Sequence, residues 1–219
     1  MLTHGHGDHI LGSAPFRGSD TLAHLTAPDV IRQHLPTWAE RAGESPAAVR
    51  DRLVWPNITF DGTLRLELGG KHVRLFHTPG HSQDSCCAYV EEDGILFAGD
   101  TVVTGIVPAV GDGDSRALEA SLRRLAGIEI EVLVPGHGPI VRGAQAIRGW
   151  LIAWADYVAR LRAAVRVALS YSDNVVSFAE GLSFEEYVGD RLPAERHNMV
   201  GRHRNTVQKI IAEELARRG

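Results

Sequence analysis

The most informative run of residues lies at the start of the chain and reads Thr3-His4-Gly5-His6-Gly7-Asp8-His9. Three imidazoles and a carboxylate fall within six residues, and the glycines between them let the backbone turn sharply and approach a bound ion closely. Packing does not explain such a run, because burying these side chains without partners would cost free energy. A disordered, tag-like terminus would lack the interposed Asp8 and the matching loops downstream.

Three later segments repeat one arrangement, in which an apolar strand ends and a glycine-containing turn presents a ligand-type side chain. They are Phe76-His77-Thr78-Pro79-Gly80-His81-Ser82, Phe97-Ala98-Gly99-Asp100-Thr101 and Val134-Pro135-Gly136-His137-Gly138. Taken singly, His81 or His137 would be interpreted as a turn histidine and Asp100 as a turn or helix cap. Strand ends at one edge of a sheet can meet in space, however. Together the four segments predict a site for two divalent ions, built from five histidines and two aspartates.

The composition limits the class of protein. The chain has 219 residues, a net charge of −4, 44% hydrophobic residues and 11 histidines, which fits one globular domain with or without an appendage. These values exclude collagenous, coiled-coil and disordered chains, and no apolar run is long enough to cross a bilayer. The mild acidity argues against nucleic acid as a partner. Two adjacent cysteines cannot form a disulfide framework, so we expect a reducing, cytoplasmic setting.

The hydrophobic periodicity predicts strands interleaved with helices, an α/β (α+β) chain. Alternating apolar residues predict one hairpin over 64–77 and a second over 87–98, and residues 132–134 predict a short buried strand. Helices are predicted over 28–35, 46–54, 115–126 and 147–169, with a last one over 207–216. We expect a catalytic domain over 1–170 and a helical C-terminal tail over 171–219.

The motif set resembles that of the metallo-β-lactamase-fold hydrolases, whose signature is H-x-H-x-D-H followed by separate His, Asp and His loops. The resemblance covers His4 to about Leu169 and implies an αββα sandwich with metal ions at one edge of its two sheets. It implies two Zn²⁺ ions, with Fe or Mn as other possibilities. By the same resemblance, the first ion is held by His4, His6 and His81, the second by Asp8, His9 and His137, and Asp100 bridges them.

The implied chemistry is hydrolysis by a metal-bridging hydroxide. Two divalent ions about 3.5 Å apart share a water and lower its pKa, and they also polarise the substrate oxygen. Asp8 would orient the hydroxide and is therefore a candidate catalytic residue as well as a ligand. The expected substrate is a small ester, thioester or lactone.

Several branches of the family are distinguished by particular residues. Asp100 as a bridging ligand resembles glyoxalase II and lactonase-type members, whereas true β-lactamases lack that carboxylate. His6 stands where the flavodiiron oxygen reductases have Glu. Only 36 residues separate Asp100 from His137, too few for the large insert of the RNA-processing nuclease branch. A mononuclear-iron persulfide dioxygenase, a small RNA nuclease with a basic tail and an inactive fragment stay open as alternatives.

Two segments outside the ligand loops have more than one interpretation. The loop Pro108-Ala109-Val110-Gly111-Asp112-Gly113-Asp114 resembles a segment that lies near the metal mouth in one branch of the family, or it caps the helix that follows. The tail holds seven Lys or Arg residues against three acids from Arg191 onward. We interpret these as the solvated face of a helix, and a pocket-lining role or a homodimer contact stays open. Its apolar side would comprise Val207, Ile210, Ile211 and Leu215.

The position of the His-rich run departs from the family pattern. In the fold this loop follows several strands, whereas only Met1 and Leu2 precede Thr3 and His4 here. We therefore expect the chain to be truncated at its N-terminus and to lack part of its first sheet. Exposed apolar surface and unpaired strand edges would then favour aggregation.

Overall fold

The computed structural model describes residues 1–171, 182–188 and 197–218. The described helices are α1 (Gly7–Ile10), α2 (Ala27–Ala42), α3 (Pro46–Arg52), α4 (Ser115–Ala126), α5 (Ala144–Tyr171), α6 (Phe184–Val188) and α7 (His197–Ala216). The described strands are β1 (Leu22–His24), β2 (Ile58–Phe60), β3 (Thr63–Leu68), β4 (Lys71–His77), β5 (Cys86–Val90), β6 (Ile95–Phe97), β7 (Val132–Val134) and β8 (Val141–Arg142). None of the described helices is long and apolar enough to cross a membrane.

The strands form two sheets. The larger has six strands in the order β3-β4-β5-β6-β7-β8, antiparallel except for the parallel pair β6 and β7, and the smaller pairs β1 with β2 in parallel. Gly69 and Gly70 join β3 to β4 with φ of 56° and 83°, the positive values that a tight hairpin turn requires at both central positions. Both predicted hairpins are confirmed.

The two sheets lie between helices. On one face of the large sheet, α4 and α5 bury a cluster that includes Leu118, Leu133 and Leu151. On the other face, Phe60 of β2 packs against Leu75 of the large sheet. The helices α2 and α3 form a further apolar layer with the N-terminal segment. This helix–sheet–sheet–helix arrangement confirms the α/β class and the sandwich expected from the resemblance.

Helix α2 is longer than the sequence predicts, because it continues past Pro36 to Ala42. Proline removes a backbone donor and normally ends or kinks a helix. Here Leu35 and Trp38 are buried on the face that also carries Ile31, so packing outweighs the local preference. Helix α7 likewise begins ten residues before the predicted start.

The segment that leads into the His-rich run lies between the two sheets. The Leu2 N–H donates a hydrogen bond of 2.8 Å to the Leu22 carbonyl, and the Thr3 carbonyl accepts one of 2.8 Å from the Cys86 N–H. These contacts fix the backbone just before His4, and they place the run beside the ends of β1 and β5.

The C-terminal helix α7 packs on the domain through the predicted apolar side. Val207 and Ile210 are fully buried in the core that α5 lines, whereas Leu215 is 38% exposed. Two of the tail's basic residues, Arg191 and Arg196, lie outside the described residues. The division of the chain at residue 170 stays a prediction.

Candidate metal centre

The seven predicted ligands come from separate elements that meet at one sheet edge. His4 and His6 lie just before α1, and Asp8 and His9 lie on it. The other three follow the C-terminal ends of strands that run in the same direction: His81 after β4, Asp100 after β6 and His137 after β7. The structure brings all seven side chains into one cluster.

The first group consists of three histidines, whose donor atoms lie within 4.8 Å of one another. His6 Nδ1 is 2.9 Å from His81 Nε2, and the His4 ring centroid lies 4.6 Å from that of His6 and 5.0 Å from that of His81. Burial lowers the pKa of His4 to about 2 and that of His81 to about 4, and nearby imidazoles act in the same direction. Both rings are therefore neutral at pH 7, the form that binds a metal.

The second group joins the two ligands on α1 to the loop after β7. Asp8 Oδ2 lies 3.1 Å from His137 Nε2 and 3.6 Å from His9 Nε2. The Asp8 side chain is 59% exposed, so this end of the cluster opens to solvent. The predicted set Asp8, His9 and His137 is therefore assembled in space.

Asp100 lies between the two groups and contacts both. Its Oδ2 is 3.5 Å from His81 Nε2 and 3.4 Å from His137 Nε2, and its Oδ1 is 3.3 Å from His9 Nε2. Burial alone would raise the pKa of Asp100, but the nearby imidazoles of His9, His81 and His4 hold it below its usual range. This buried, ionised carboxylate has the position that the resemblance assigns to a bridging ligand.

The donor atoms themselves indicate that a cation fits here. Five buried side-chain atoms of the described residues have no hydrogen-bond partner, and three of them, His4 Nε2, His9 Nε2 and Asp100 Oδ1, belong to the cluster. A buried polar atom without a hydrogen bond costs free energy. Imidazole and carboxylate donors are the set that zinc prefers when thiolates are absent. The residues present therefore fit two divalent ions.

Two glycines allow the ligand loops to approach each other. A Cβ added at Gly136 would lie 2.0 Å from Asp100 Oδ1, and one at Gly99 would lie 2.7 Å from the Thr3 Cβ. Gly99 also has a φ of 50°, which side-chain-bearing residues adopt at a cost. The loops before Asp100 and His137 thus pack at a distance that only glycine permits.

Replacing Gly136 by alanine is therefore expected to weaken metal binding, because the new methyl group must displace the Asp100 carboxylate. We expect a loss of about 10- to 100-fold in affinity, as for disturbed ligand support elsewhere, measured by competition with a chromophoric chelator. Gly149→Ala is the matched control, because its Cβ would meet nothing within 4 Å. Unchanged affinity in a folded Gly136→Ala protein would contradict the assignment.

Sequence reasoning missed two residues beside the cluster. Asp112 Oδ2 lies 3.0 Å from His6 Nε2 and 2.9 Å from His34 Nε2. His34 comes from α2, and no local pattern marked it. The loop that carries Asp112 was expected either to lie near the metal site or to cap the following helix. It does both, because Asp112 contacts His6 and the Asp114 side chain caps α4.

The remaining histidines with described side chains lie away from the cluster. His24 stacks on His77 with ring centroids 3.7 Å apart, and His72 contacts Glu92. His203 of the tail is buried against Tyr157, so it does not reach the site. The side chains of His197 and Asn198 lie outside the described part of the chain.

The chain was compared with known proteins. The family model of the metallo-beta-lactamase superfamily matches residues 1–137. An atrochrysone carboxyl ACP thioesterase from Aspergillus fumigatus is 35% identical over 150 residues, which cover 65% of this chain and 28% of that protein. Thioesterase pkgB from Emericella nidulans is 33% identical over 141 residues, which cover 64% of this chain and 34% of that protein. The chain thus spans about a third of the length of these relatives.

A solved structure shares the fold over almost the whole chain. The metallo-beta-lactamase family protein TTHA1429 from Thermus thermophilus superimposes with a TM-score of 0.64 at 22% identity, covering 98% of this chain and 74% of that protein. This likeness supports the architecture and not a particular reaction. Because the family model covers more than half of the chain, the protein belongs to the metallo-beta-lactamase superfamily.

Proposed function

We propose that this protein is a metal-dependent hydrolase that cleaves an acyl thioester. The observation that carries the proposal is the convergence of seven ligand-type side chains, three of which have buried donor atoms without partners. Of the ester, thioester and lactone substrates expected from the sequence, the thioester is favoured by the names of the relatives at 33% to 35% identity.

The cluster offers places for two ions, for which we propose zinc. His4, His6 and His81 would hold one, Asp8, His9 and His137 the other, and Asp100 both. When bound, such ions would act as Lewis acids on the thioester carbonyl and lower the pKa of a coordinated water.

The two carboxylates differ in environment and therefore in role. Asp100 is 6% exposed and held ionised, so it balances cationic charge within the cluster. Asp8 is solvent-facing and close to His137, so it can orient the attacking water and accept a proton. Water adds to the carbonyl carbon, the carbon–sulfur bond breaks, and the proton passes to the leaving thiolate.

The test is a panel of short acyl thioesters of N-acetylcysteamine, with the matching oxygen esters and lactones, assayed with the zinc-loaded protein. We expect turnover to be greatest for thioesters and to be lost in Asp8→Ala. Asp29→Ala serves as the control, because this exposed carboxylate of α2 pairs only locally with Arg32. Absence of thioester turnover, or one iron per chain with oxygen consumption on a persulfide, would contradict the proposal.

A further inference from the structure

The loop over residues 107–114 contacts two of the three histidines in the first group. Asp112 Oδ2 lies 3.0 Å from His6 Nε2, and the Ala109 carbonyl lies 2.9 Å from His81 Nδ1. His6 and His81 face each other through Nδ1 and Nε2, respectively, and the loop contacts the remaining nitrogen of each ring. The loop therefore lies on the side of these two rings that faces away from the proposed metal ion.

These two contacts decide which ring nitrogens carry hydrogen. A carboxylate and a carbonyl oxygen only accept hydrogen bonds, so the hydrogens lie on His6 Nε2 and His81 Nδ1. The other two nitrogens, His6 Nδ1 and His81 Nε2, then present lone pairs to each other across 2.9 Å. Two facing lone pairs repel unless a cation or a shared proton lies beside both, and a bound metal ion satisfies that condition.

We propose that Asp112 is a positioning residue, which accepts the Nε2–H of His6 and so directs His6 Nδ1 at the first metal ion. Carboxylates that receive the distal N–H of a metal-bound histidine fix its tautomer and orientation and increase its basicity. This inference rests on the metal site of the proposed function.

His34 contacts Asp112 beside His6. Its Nε2 lies 2.9 Å from the same oxygen of Asp112, and its ring stacks on Trp38 with centroids 5.6 Å apart. Although Asp112 is half exposed, its acceptor oxygen thus contacts two imidazoles, whose ring centroids lie 5.2 Å apart.

Helix α7 and Arg217, which follows it, contact the two ends of the loop. Arg202 Nε donates to the Val107 carbonyl at 3.3 Å, and Arg217 Nη2 donates to Asp114 Oδ2 at 2.8 Å. With both ends held, the loop has little freedom to move Asp112 away from His6. The C-terminal helix therefore contributes to the metal centre indirectly, through the loop.

The experiment compares zinc affinity in the parent protein, Asp112→Ala and Asp112→Asn by competition with a chromophoric chelator. We expect Asp112→Ala to weaken one of two sites by about 10- to 100-fold. Asp112→Asn, which keeps an acceptor oxygen without the charge, is expected to lose less. Glu92→Ala is the matched control, because Glu92 contacts His72 in a similar pair outside the cluster.

A second readout does not depend on metal, and its first part needs only the parent protein. Side-chain ¹⁵N NMR of the metal-free parent is expected to show His6 as the Nε2–H tautomer, and folded Asp112→Ala is expected to show a mixture. Unchanged affinity in folded Asp112→Ala, or an Nδ1–H tautomer in the parent, would overturn the proposal. A third bound ion that is lost with Asp112 would make Asp112 a ligand and would overturn it too. Absence of zinc binding by the parent would overturn this proposal together with the proposed function.

Discussion

Replacing Asp100 by alanine is expected to lower kcat/KM for thioester hydrolysis at least about 10³-fold, equivalent to about 4 kcal/mol of transition-state stabilisation. Its carboxylate contacts imidazoles of both groups, including His81 and His137. Without it, two adjacent cations would share a site that has lost its buried negative charge. The measurement is steady-state kinetics, with the bound metal counted in the same samples.

One further variant separates the charge of Asp100 from its shape, and a second serves as a control. Asp100→Asn keeps the size of the side chain and removes its charge, so we expect a loss of metal content close to that of Asp100→Ala. Asp61→Ala removes a carboxylate that is 81% exposed and lies outside the cluster, and it should leave turnover unchanged. If Asp100→Ala retained turnover within about tenfold of the parent, Asp100 would not be a metal ligand.

The candidate ligands could be predicted from the sequence because each is marked locally. His81, Asp100 and His137 all follow an apolar strand and stand next to a glycine. The structure explains Gly99 and Gly136 by the close approach of ligand loops, and Gly80 by its close approach to Leu118 of α4. Helix α4 was predicted with its observed bounds for a similar reason, since Asp114 caps its start and Gly127 follows its end. Local chemistry and backbone geometry agree in these segments.

The contacts that Asp112 makes with His6 and His34 could not be predicted, because they depend on packing between segments that are distant in the sequence. His6 and Asp112 are 106 residues apart, and His34 lies on α2, where its ring stacks on Trp38 and its Nε2 reaches Asp112. No periodicity encodes which side chain of a helix will face a loop from another part of the chain. The contacts of Asp112 and His34 are therefore a property of the tertiary fold, whereas the candidate ligands are visible in the sequence.

Removing the metal is expected to abolish thioester turnover and to lower the melting temperature by about 8–16 °C. A ligand present at a thousand times its dissociation constant stabilises the native state by about 4 kcal/mol, and each kcal/mol shifts Tm by about 2–4 °C in a chain of this size. The buried ligand atoms His4 Nε2, His9 Nε2 and Asp100 Oδ1 make no hydrogen bond, and this costs free energy in the metal-free protein. Calorimetry before and after chelation, followed by addition of zinc, measures both effects.

Adding zinc back also measures how many ions each chain must bind before activity returns. Recovery of activity should follow the binding of two zinc ions per chain, and the stabilisation should shrink as the pH falls, because protons compete for the imidazole ligands. His6→Ala should lose most of the metal-dependent shift, whereas His72→Ala, outside the cluster, should keep it. Full recovery with a single iron ion would instead favour the mononuclear dioxygenase chemistry. A Tm that does not respond to chelation of metal-loaded protein would contradict a metal site built from these buried side chains.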